Sequence, residues 1–95
     1  MTKKEFLLYE LALMQRFDSY LAMKKFDLAL ADLVEAEKSE YAPKDDIAAR
    51  RGLVFLAQGK KDAAMVEFNY ALKLNPKNEM AHKELEKFGA APLKD

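Results

Sequence analysis

Apolar residues recur every three or four positions along this chain, a period that predicts helices and no strands. Thr2 and Glu5 form a T-x-x-E box, the start signal of a first helix running to about residue 23. Lys24 and Lys25 mark a turn, and a second helix is predicted over about Phe26 to Glu40. The segment TyrAlaProLys at 41–44 breaks it, because proline disfavours helical backbone in the residue before it. Asp45 and Asp46 suit the positive start of a third helix, ending near Gln58 with Gly59 as its stop. A fourth helix spans about Lys61 to Leu74, and AsnProLysAsn at 75–78 ends it. A fifth covers about Glu79 to Phe88, stopped by Gly89, and the tail at 89–95 is expected to fray.

The first helix carries more apolar surface than one core needs. Tyr9, Leu13, Phe17 and Tyr20 form one stripe, expected to pack on the second and third helices. Leu7, Leu11, Met14 and Leu21 form another, interrupted by Asp18. An apolar strip left uncovered marks an interaction site.

The chain also repeats itself. An offset of 35 residues lays Leu21, Ala22, Lys25, Asp27, Ala29 and Ala36 on Leu56, Ala57, Lys60, Asp62, Ala64 and Ala71, each an identity. The same offset lays Tyr20 on Phe55, Asp32 on Glu67 and Leu33 on Phe68. A helix–turn–helix unit is therefore used twice, with one helix added. The fifth helix, with Glu79, Lys83, Glu84, Glu86 and Lys87, has a wet outer face and reads as a terminal cap.

Gly52, Phe55, Gly59, Ala64, Phe68, Ala71 and Pro76 fall in the order of small and large positions of a tetratricopeptide repeat (TPR), which the second unit resembles. The first unit, about residues 10–44, keeps Tyr20, Ala29 and Ala36 of that pattern. It departs in having Phe17 and Lys24 at the glycine-type positions and Tyr41 in place of the proline. In the second unit Arg51 sits where the family is usually apolar. The resemblance implies an all-α fold, a short right-handed α-solenoid of antiparallel helix pairs with five helices. Ala29, Ala36, Ala64 and Ala71 lack bulk and let the helices of a pair approach closely, while Tyr20, Phe55 and Phe68 are expected to fill the spaces between pairs.

The first helix of each pair lines the concave surface in this family. That implies a groove of Leu11, Met14, Asp18, Leu21 and Ala22 from the first unit and Asp46, Ala49, Leu53, Leu56 and Ala57 from the second. Leu21 and Leu56 lie near turns, where leucines either face a groove or plug gaps between helices. The family's carboxylate clamp is not expected: its positions hold Met14, Asp18, Arg50, Met80 and Glu84, and two acids there would repel a carboxylate.

Composition narrows the function further. Ninety-five residues suit a single domain, divided at about 2–44, 45–78 and 79–88. With 51% hydrophobic and 34% charged residues the chain is not of disordered type. Its 16 basic and 16 acidic side chains cancel, so nothing electrostatic draws it to nucleic acid or to an anionic membrane. The lysine pairs at 24–25 and 60–61, with no interleaved aromatics, do not alter that. The absence of cysteine excludes thiol chemistry and fits a cytoplasmic setting. Glu10, Arg16 and Asp18 interrupt the first apolar run, so neither a signal peptide nor a membrane-inserted helix is expected.

No catalytic residues, metal ligands or cofactor site are predicted. His82 is the sole histidine; Glu79 and Glu86 share its face, but an exposed cap helix offers no supporting groups for a metal. Arg50 and Arg51 suit a partner's acidic group or a pairing with Asp18 and Asp46. The sequence thus points to a binder of a protein or peptide through Leu7, Leu11, Met14, Asp18, Leu21, Asp46, Ala49, Arg50, Leu53 and Leu56. The alternative is a self-assembly module whose first helix pairs around a two-fold axis.

Overall fold

The structure, a computed structural model, describes residues 2–87. Those residues form five α-helices and no strand: α1 Lys3–Ala22, α2 Phe26–Glu37, α3 Lys44–Ala57, α4 Lys61–Leu74 and α5 Glu79–Lys87. No helix among them is long and apolar enough to cross a membrane. The chain divides into two compact units, one ending at Pro43 and the other beginning at Lys44. The expected ends of the fifth helix, Phe88 and Gly89, and the tail lie outside the described residues.

In the first unit, Thr2 caps α1 as its box predicts: its hydroxyl accepts the Glu5 amide and donates to the Glu5 carboxylate, both at 3.1 Å. Helix α2 packs on α1. Tyr9, early in α1, reaches Glu35 near the end of α2, and Arg16 reaches Asp32. Helix α2 stops at Glu37 rather than near Glu40. The cause is local, because Ser39 supplies its hydroxyl to the Tyr41 amide at 3.1 Å and its carbonyl to the Ala42 amide at 3.2 Å. Such a serine turn competes with the helical ladder.

The buried side chains of this unit are Phe6, Leu13, Met14, Phe17, Ala29, Leu33 and Ala36, with Asp32 buried among the polar ones. The inward face of α1 therefore takes Leu13 and Phe17 from one expected stripe and Met14 from the other, and it adds Phe6. Tyr9 and Tyr20 are half-buried beside it.

In the second unit α3 packs along α4, and α5 packs mainly on α4. Ala48, Ala49, Ala64, Phe68, Ala71, Leu72, Ala81 and Leu85 make its core, with Leu53, Phe55, Leu56, Met65 and Met80 packed around them. A Cβ placed on Gly52 would lie 2.6 Å from the Phe68 ring, so glycine is what lets that ring close against α3. Phe68 thus fills a space inside its own helix pair, where the repeat pattern expects it between pairs.

Asn78 starts α5: its side-chain oxygen accepts the Ala81 amide at 2.9 Å. Its amide nitrogen donates to Asp45 and Asp46 at 3.0 Å, and Asn75 donates to Asp45 at 3.0 Å. Two carboxylates at the start of α3 are thereby tied to the loop before α5. His82 donates from Nε2 to the Pro76 carbonyl at 2.7 Å, fastening the same loop.

The 35-residue repeat extends to backbone hydrogen bonds. Lys25 donates to Tyr20 as Lys60 does to Phe55, both at 2.8 Å, and Ala29 donates to Lys25 as Ala64 does to Lys60, both at 3.0 Å. Lys24 and Gly59, one repeat apart, both take left-handed backbone, with φ of 59° and 79°.

Candidate partner-binding site

Three leucines on α1 stand out of the core. Leu7 is 52% exposed, Leu8 64% and Leu11 58%, and Ala12 beside them is exposed too. At about 100° per residue these four positions occupy one outward face, two residues wide, across adjacent turns. Leu8 escaped the sequence reading because it belongs to neither periodic stripe. Its adjacency to Leu7 and its i, i+3 spacing to Leu11 are the signal that places it.

Of the residues expected to meet a partner, the structure exposes only some. Leu7 and Leu11 are open, and Asp18 is exposed but interacts with other residues. Met14 is 8% exposed. It sits inside rather than on a partner face, because α1 turns it toward the same side as Phe17. Leu21 is half-buried.

In the second unit, Ala49 is fully buried in the core, so it offers no surface. Leu53 and Leu56 are half-buried and pack against that core. Asp46 is exposed but holds Asn78, and Arg50 is half-buried with interactions of its own. The two aspartates therefore serve the second unit's own architecture, which composition alone did not reveal.

A second outward apolar row, also unread in the sequence, runs along α4: Val66, Tyr70 and Leu74 at i, i+4 and i+8. It is a single file, narrower than the leucine patch of α1.

Where Tyr9 of α1 meets the end of α2, the titratable groups are occupied with one another. The Lys38 ammonium, followed by the Tyr9 hydroxyl, holds the Glu35 carboxyl below its ordinary range. Glu35 in turn raises Tyr9 and Lys38 above theirs. Among the described residues no group of three or more His, Cys, Asp or Glu is arranged to hold a metal ion. Compared with protein-family models, curated proteins and solved structures, the chain matches none.

Proposed function

We propose that this protein is a protein-interaction module whose two helix–turn–helix units are antiparallel pairs of a short TPR-like solenoid. In this reading α1 presents Leu7, Leu8 and Leu11 to an amphipathic helix of a partner, which meets them with apolar residues at i, i+3, i+4 and i+7. The observation that carries it is the exposure of all three leucines, each above half, on one face of one helix. Each leucine, already partly covered, contributes about 1–2 kcal/mol when a partner buries the rest of it. Asp18, at the end of the strip, tunes which partner is accepted.

The test is Leu7→Asp combined with Leu11→Asp. Both side chains are exposed, so circular dichroism should stay helical while partners captured from the source lysate by the wild type are lost. Retention of every partner by the helical double variant rejects the reading. Self-assembly is the second reading, favoured by the width of the patch, which a second copy of α1 could cover around a two-fold axis. Light scattering over a range of concentrations separates the two. A persistent dimer that Leu11→Asp dissolves supports self-assembly, and a wild-type monomer supports capture of a different chain.

A further inference from the structure

A cleft of about 310 Å³, open on one side, lies in the first unit between the start of α1 and the end of α2. Phe6 and Tyr9 line it from α1, Glu35 from α2, and residues 38–41 from the following turn. It is distinct from the leucine patch: Leu8 and Tyr9 are about 100° apart around α1. Three of the lining residues are aromatic. The Phe6 and Tyr41 rings stand 6.4 Å apart, tilted by 43°, and the Tyr9 hydroxyl is tied to Glu35 at 2.9 Å.

Its charges are unequal. Glu35 and Glu40 face one ammonium, Lys38, which is itself paired with Glu35 at 2.9 Å. Glu35 accepts one bond on each oxygen, from Tyr9 and from Lys38, so each oxygen retains a second lone pair. The carbonyl end of α2 also lies here, with Lys38 as its C-cap residue, so the single ammonium faces the negative end of the helix dipole as well as two carboxylates. Aromatic faces attract cations as well. The molecule already does this once, with the Arg16 guanidinium 5.7 Å over the Tyr20 ring. A neutral apolar guest would strip water from two carboxylates and return no hydrogen bond, and an anion would meet like charge.

We propose that this cleft binds the guanidinium or ammonium head of a basic side chain carried by a peptide. The head hydrogen-bonds to Glu35 beside the Tyr9 and Tyr41 rings, and the stem leaves through the open mouth so that the peptide backbone stays outside.

The experiment is an NMR titration of the whole chain, following the tyrosine ring signals, with three probes: N-acetyl-arginine amide, its uncharged isostere N-acetyl-citrulline amide, and putrescine as a free diamine. The arginine probe is expected to shift Tyr9 and Tyr41 with a midpoint on the order of 1–10 mM, as suits a single side chain. The citrulline probe should shift neither. Glu35→Gln keeps the helix and the side-chain shape, and it should weaken arginine binding by about fivefold or more. Tyr41→Leu, with folding checked from its amide spectrum, should weaken it about two- to fivefold. The proposal is overturned by equal response to citrulline, by no shift with arginine, or by unchanged affinity in both variants. Tighter binding of putrescine than of the arginine probe overturns the peptide assignment in favour of a free amine.

Discussion

Arg16 grips Asp32 with two of its nitrogens: Nε donates to both carboxylate oxygens, at 3.2 and 3.1 Å, and Nη2 donates to Oδ1. Asp32 is almost wholly buried, whereas the Arg16 side chain is 55% exposed. One helix turn beyond, the same guanidinium covers the Tyr20 ring. One repeat later the arrangement recurs, looser, as Arg51 and Glu67 at 3.5 Å. Arg51 is therefore the partner of an acid, not a misplaced core residue.

A buried carboxylate needs its counter-charge more than an exposed arginine needs its acid. Arg16→Ala is expected to lower the melting midpoint by more than Asp32→Asn does, because it strands the charge that cannot reach water. The double change Arg16→Met with Asp32→Leu should recover most of the loss, since it removes both ions at once. Thermal unfolding of the four proteins checks the order. A double variant no better than Arg16→Ala would mean the pair is more than a paired burial.

The shared turn gives a second expectation with opposite signs at two sites. Left-handed backbone strains residues with a Cβ, and glycine takes it freely. Lys24 takes that backbone in the first unit and Gly59 in the second. Lys24→Gly should therefore gain about 0.5–1 kcal/mol, and Gly59→Ala should lose about as much, after the change in unfolded-chain entropy is included. A Cβ at Gly59 meets nothing within 4 Å, so the loss is purely conformational. Urea unfolding measures both; two changes of the same sign refute the argument.

Gly52 poses a steric problem instead. The Phe68 ring atoms lie 2.6–2.9 Å from where its Cβ would be, inside any tolerable contact. Gly52→Ala should cost about 1–3 kcal/mol. The first unit shows the compensating solution at the same repeat positions: Phe17 where the second has Gly52, and Leu33 where it has Phe68, both buried. Phe68→Leu in the Gly52→Ala background should thus restore part of the loss, whereas in the wild type it opens a cavity and destabilises. Denaturant midpoints of the three variants decide it, and additive losses would show that bulk at the two positions is not exchanged.

The helices and their repetition were legible in the residues because their signals are local: Thr2 before Glu5, Gly59 at a turn, alanines one repeat apart. What the period leaves open is which of two apolar stripes faces inward. On α1 the buried face straddles both, taking Leu13 and Phe17 from one and Met14 from the other while releasing Leu7 and Leu11, and only the packing of α2 against α1 settles that choice. Asp32 was unreadable for a related reason, since an acid in a helix reads as surface until an arginine sixteen residues earlier is seen to cover it. The cleft at Phe6, Glu35 and Tyr41 joins residues far apart in the chain, and no spacing rule brings them together.

Asn78 links two helices through one side chain, and its removal should show a pH signature. Asn78→Ala deletes the cap of α5, a loss of about 0.5–2 kcal/mol at any pH. It also removes one of the two side-chain donors to Asp45. Burial pushes the Asp45 carboxyl up, but hydrogen bonds from Asn78 and Asn75, with backbone donors, hold it below its ordinary value. A depressed carboxyl stabilises the fold at pH above its unfolded pKa, and that share is lost as pH falls through the folded value. Glu35, held down by Lys38 and Tyr9, behaves the same way. The wild type should therefore weaken as pH drops below about 4, and Asn78→Ala should weaken less steeply, keeping the Glu35 part of the slope and losing the share of the Asp45 part that Asn78 supplies. Urea midpoints at neutral pH and near pH 3 supply the comparison. The gap between the two proteins must narrow in acid without closing, because the cap of α5 is lost at both. A gap that stays constant would mean Asn78 acts on α5 alone and leaves Asp45 untouched.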